Sequence, residues 1–144
     1  MFEKLFLLVK SNAGAAVINN PVIPAGKSEA VINEASSSII EVLKGQLENG
    51  KLKDLVKMFQ FPDIKNSALV TSIINRFANK LNKFYSIDPK VAFATATSLI
   101  MPVMQQLVQQ SNEDKNGEFA VQNFVSKLSG GADLSMLVNN YLAA

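Results

Sequence analysis

Apolar residues recur every three or four positions along almost the whole chain, and strict alternation is nowhere sustained, so the pattern predicts helices throughout. Phe2, Leu5, Phe6 and Val9 mark a first helix that weakens near Gly14, and Pro21, Pro24 and Gly26 then make a rigid connector. Ser28 is placed to cap a second helix with Ile32, Ala35, Ile39, Leu43 and Leu47 on one stripe. Asn49-Gly50 supplies its left-handed stop. Leu52, Leu55, Val56 and Phe59 form a short third helix, ended by Pro62 because proline disfavours helical geometry at Phe61. Asn66 or Ser67 opens a fourth helix that turns Leu69, Val70, Ile73, Ile74, Phe77, Leu81 and Phe84 inward.

Asp88-Pro89 is a strong helix start, since the carboxylate caps free N–H groups and proline at the first helical position lacks only a donor that would go unused. No charged residue follows from Val91 to Asn112, a stretch long enough to cross a bilayer. Thr95, Thr97, Ser98 and four Gln interrupt it, which predicts a buried central helix and no membrane span. Phe93, Ala96, Leu99, Ile100, Val103 and Leu107 are expected among its most buried residues, with Pro102 inside the helix. Phe119, Val121, Phe124, Val125 and Leu128 mark a sixth helix. After Gly130-Gly131, Asp133 caps a last one carrying Leu134, Leu137, Val138, Tyr141 and Leu142. Leu47 to Val56 and Leu128 to Val138 echo each other as a helix, a glycine stop and a short amphipathic helix. The expectation is an all-α, compact bundle of about six to seven helices around an uncharged, Pro-containing central helix, with residues 1–144 forming a single domain.

Composition narrows the chemistry. The chain of 144 residues holds no His, Cys or Trp, which removes thiolate nucleophiles, His general bases and the usual zinc sites together. Its net charge of +2 argues for neither nucleic acid nor anionic membrane, but residues 44–90 carry nine basic side chains against four acidic ones. Only one of the 14 basic residues is Arg, the side chain best suited to phosphate and guanine. Five apolar residues from Leu5 to Val9 between Lys4 and Lys10 fall short of the roughly 7 to 15 of a secretion signal. A cytoplasmic location is the corresponding expectation.

The motifs with chemical content are few. Asn112 to Phe119 imitates the start of a calcium loop, but Asn123 stands where a bidentate Glu is needed, so no metal is expected. Ser36-Ser37-Ser38 offers hydroxyls without a base, and Gly130-Gly131 lacks the Lys and strand of a phosphate loop. Met101 and Met104 read as core fillers, and Glu34 and Glu41 as solvent-facing. Arg76, Lys80 and Lys83 fall on one face of the fourth helix beside Asn75, Asn79 and Asn82. They form the one candidate contact face, and a solvated surface is the simpler reading of it.

Several landmarks in order, Met1-Phe2-x-x-Leu5-x-x-Leu8-Val9-Lys10, Asn20-Pro21-x-Ile23-Pro24, Glu29 to Glu34, Leu52-x-x-Leu55 and Phe84-x-x-Ile87-Asp88, resemble the YidB-like family of small bacterial helical proteins of unknown function. The resemblance covers most of residues 1–131 and rests on caps, turns and apolar spacings. It implies a six- or seven-helix bundle with one central helix, and carries no catalytic residue. The glycine- or Asp-rich tail of many such proteins has no counterpart in the Asn140 to Ala144 end of the sequence. The functional expectation is a non-enzymatic protein-interaction or self-associating module without a cofactor. The competing expectation is a weak nucleic-acid-binding protein using the basic middle third.

Overall fold

Local signals account for several helix ends in the computed structural model of the chain, which describes residues 2–60 and 63–143. Seven α-helices run in order: α1 Glu3–Ser11, α2 Ser28–Glu48, α3 Leu52–Gln60, α4 Ala68–Tyr85, α5 Pro89–Glu113, α6 Val121–Leu128 and α7 Ser135–Ala143. A π-helical turn, Gly14–Ile18, and a 3-10 turn, Ile64–Asn66, complete them, and there is no strand among the described residues. The fold is all-α. Ser67 caps α4 by accepting the Val70 N–H at 3.3 Å, and Asp88 caps α5 by accepting the Lys90 N–H at 3.1 Å. Ser28 does not cap α2. It is the first helical residue, and Lys27 stands at the cap position without a side-chain bond. Phe61 and Pro62, invoked for the end of α3, lie outside the described residues.

The echo between the two helix, glycine, helix segments has a geometric counterpart. After α2, the Lys51 N–H bonds the Gln46 carbonyl at 2.7 Å and the Gly50 N–H bonds that of Leu47 at 3.1 Å. After α6, Gly131 and Gly130 repeat the pattern on Ser126 and Lys127 at 2.8 and 3.2 Å. Both are left-handed closures that satisfy the last carbonyls of a helix, which is why positive φ is needed at Gly50 and Gly130. The short helices that follow, α3 and α7, pack on one another, with the Gln60 side chain donating to the Leu142 carbonyl at 2.9 Å.

The uncharged helix α5 lies in the core as expected. Ala96, Leu99, Ile100, Val103, Met104 and Leu107 are fully buried, and α5 packs on α4, α1, α3 and both irregular turns. By length and composition it could cross a membrane; in this structure its apolar face is covered by the other helices. Phe93 is the exception to the expected list, at 49% exposure. It stands one position after the buried Ala92, and a step of one residue turns a side chain about 100° round a helix, away from the face that α4 covers. Phe84 departs in the same way. It shares the helical register of Phe77 and Leu81 yet is 61% exposed in the last turn of α4.

Instead of simply fading near Gly14, the chain makes one wide turn. The Ile18 and Asn19 N–H groups bond back five residues, to Ala13 and Gly14, at 2.9 and 2.8 Å. This turn buries Ala16 and Val17 and packs on α5. A reciprocal amide pair holds the same region: the Asn12 side chain donates to Gln106 Oε1 at 3.1 Å and Gln106 donates to Asn12 Oδ1 at 3.0 Å. Elsewhere in the core Phe124, fully buried, meets the rings of Phe2, Phe59 and Phe119 at centroid distances of 6.2, 6.0 and 6.2 Å. These tilted and edge-on contacts gather α1, α3, α6 and the turn before α6 into one core.

Candidate interaction surface

The three basic residues singled out on α4 do come together, but they are not simply a solvated row. Glu41 of α2 reaches them: Lys80 Nζ lies 2.7 Å and Arg76 Nη1 3.6 Å from its Oε1. The Lys80 side chain is accordingly only 17% exposed. Arg76 remains half exposed, and Lys83 is exposed with no ion pair among the described residues. Glu41 was legible only as a solvent-facing carboxylate, since its partners lie 35 and 39 positions away. The helix α4 itself carries no acidic residue. A shallow groove of about 500 Å³ runs along it, bordered by Ser72, Asn75, Arg76, Asn79, Lys83 and the outward ring of Phe84.

The corner that presents Phe84 is firmly built. Ser86 adopts left-handed geometry, φ 56°, and closes α4. Asn82 donates to the Ile87 carbonyl at 2.8 Å, and Ile87 is buried. Asp88 then caps α5, so the direction of the chain reverses within a few residues. Tyr85, beside Phe84, has its hydroxyl pKa raised, first by burial and then by the negative charge of Glu34. It stays a neutral phenol.

A second, apolar groove of about 450 Å³ separates α1 from α2. Phe2, Phe6, Leu7 and Ile40 line it with Ser36 and Ser37, and Leu7 is 58% exposed. The apolar spacing that marks the first helix, Phe2, Leu5, Phe6 and Val9, does not include Leu7. Ile18, Val22, Val91 and Phe93, and Met136 with Leu137 on α7, are further outward apolar side chains.

The remaining motifs have structural partners. Ser36 and Ser38 are buried and donate to the carbonyls of Ile32 and Glu34 at 3.0 and 2.8 Å, which occupies both protons. In the loop after α5, Asp114 Oδ1 accepts the Asn116 N–H at 3.1 Å and Asn123 donates to the Gly117 carbonyl at 2.8 Å. A side chain at Gly117 would run into the Asp114 carboxylate, so the glycine serves loop packing. Among the described residues no three His, Cys, Asp or Glu side chains are grouped to hold a metal ion. Met104 is fully buried and Met101 packs partly buried against the core. Comparisons with protein families, with curated proteins and with solved structures find no match to this chain.

Proposed function

We propose that this chain is a YidB-like helical protein that acts through contacts with other proteins, copies of itself included, and not as an enzyme. The family reading rests on the order of its sequence landmarks, and the non-enzymatic reading on a sequence without His or Cys. One observation carries the contact reading: Phe2, Phe6, Leu7 and Ile40 line a mainly apolar groove, edged by Glu3, Asn33, Ser36 and Ser37, with Leu7 turned outward. Monomeric proteins scatter single apolar side chains over their surfaces, whereas a contiguous apolar depression on rigid helices marks a place where another surface settles.

Size-exclusion chromatography with light scattering tests the self-association part. The expected mass rises above 15.6 kDa with concentration through the micromolar range, and Leu7→Ser suppresses the rise while the chain stays folded, its melting temperature lower by at most about 4 °C. A strict monomer throughout that range removes self-association. Cross-linking in the native cell followed by mass spectrometry tests the contact with other proteins, and a chain that cross-links to nothing refutes it.

A further inference from the structure

The α4 groove combines cations with one exposed aromatic ring. Arg76, Lys80 and Lys83 supply positive charge along its length, Asn75 and Asn79 supply neutral donors, and Phe84 stands at its end, 61% exposed although in register with the core. We propose that this groove docks an acidic segment of a partner protein, with one or two carboxylates against Arg76 and Lys83 and an apolar side chain against the Phe84 ring. The proposal rests on the protein-contact reading and names the chemistry of one partner.

Charge complementarity selects the occupant. One carboxylate already meets two of these cations from α2: Glu41, whose Oε1 lies 2.7 Å from Lys80 and 3.6 Å from Arg76. Arg76 and Lys80 are thus placed to take a carboxylate, and Glu41 leaves Arg76 incompletely used. A guanidinium carries five N–H donors, and a single contact at 3.6 Å leaves most of them to solvent or a ligand. Lys83 forms no ion pair among the described residues. A bare cationic strip would attract an anion but fix no register. Phe84 adds the rigid aromatic contact from which interfaces draw most of their energy, and the charges around it set approach and orientation.

Nucleic acid fits less well. Phosphate-backbone binding draws its affinity from neutralising on the order of 6–10 phosphates with Lys and Arg. This face offers three cations, and Glu41 sits among them. A phosphate chain repeats its charge at every nucleotide, whereas a helix or strand of protein can set its carboxylates at Arg76 and Lys83 alone. The distance along α4 from Ser72 to Phe84 is also short, about 18 Å at 1.5 Å per residue, which suits a few turns of a partner helix.

Fluorescence anisotropy on the full chain decides it, with a fluorescein-labelled amphipathic helical peptide bearing Leu and Phe on one face and Glu on the other as the probe. Its Glu→Lys counterpart and a labelled single-stranded oligothymidylate are the comparisons. The acidic peptide is expected to bind saturably and more tightly at low salt, and the Lys peptide not to bind. Phe84→Ser should weaken binding at least roughly tenfold, the effect of removing an aromatic anchor. Arg76→Gln with Lys83→Gln should weaken it and flatten its salt dependence. These side chains are largely exposed, so both variants should stay folded with melting temperatures within a few degrees of wild type, and Leu7→Ser should bind the peptide as wild type does. The proposal is overturned if the acidic peptide shows no saturable binding, if both α4 variants bind it unchanged, or if the oligonucleotide binds more tightly than the peptide and is lost in the same variants. Light scattering on the same preparations separates the two readings: self-association that depends on Leu7, with no peptide binding, refutes the α4 site and leaves the contact reading standing.

Discussion

Leu99 and Phe93 lie six residues apart on the same helix, and an apolar pattern alone ranks both as core, yet their truncation to alanine should have very different consequences. Leu99 is fully buried in the middle of α5. Leu99→Ala removes the transfer free energy of the lost methyl groups and leaves a cavity that packed helices close only in part, for a cost of about 2 to 5 kcal/mol. For a chain of 144 residues, at about 3 °C per kcal/mol, the melting temperature should fall by roughly 6 to 15 °C. Phe93 is 49% exposed, so half of the ~1.5–3 kcal/mol of a fully buried Phe is at stake, about 1 kcal/mol, and no closed cavity forms. Alanine regains about 0.5 kcal/mol of helix propensity, leaving a net loss near 0.5 kcal/mol. Urea unfolding followed by circular dichroism measures both, and the midpoint should move while the slope stays constant. Equal losses from the two variants would refute the assignment of Phe93 to the surface, and an unshifted midpoint for Leu99→Ala would refute the placing of α5 at the core.

Ser86 holds left-handed geometry that a side chain resists by about 1 to 2 kcal/mol. Ser86→Gly relieves it and loses part of the gain to the freer unfolded chain, so a net stabilisation of about 0.5–1 kcal/mol is expected in the same urea assay. Asn12→Ala and Gln106→Ala each leave a half-buried amide without its partner and should cost about 1 to 2 kcal/mol. The double variant should lose less than the sum; strict additivity in a double-mutant cycle would show the pair to be uncoupled. Asp133 accepts hydrogen bonds from Ser135 that hold its carboxyl below the ordinary range. A lowered folded pKa means that its support for the start of α7 is complete above the unfolded carboxylate pKa and disappears as pH falls through the folded one. Protection of the Ser135 amide from exchange should therefore drop in acid, and Asp133→Asn, which accepts but does not titrate, should flatten that dependence.

What the amino-acid sequence determined here is whatever one helix turn can encode. The all-α class follows from apolar residues at three- and four-residue spacing, the ends of α4 and α5 from Ser67 and Asp88-Pro89, and the break after α2 from Gly50, because each depends on neighbours within about five positions. The site depended on more distant partners. Arg76, Lys80 and Lys83 were legible as one face from their spacing, while the carboxylate among them comes from α2 and has no local signature. Helical register cannot separate Phe77 from Phe84, since both point the same way round α4 and differ only in whether a neighbouring helix reaches far enough to cover them. The same holds for Asn12, whose reciprocal amide bond requires Gln106 to arrive from 94 positions away. Periodicity reports the direction of a side chain from its own axis, and exposure is set by what other axes place there.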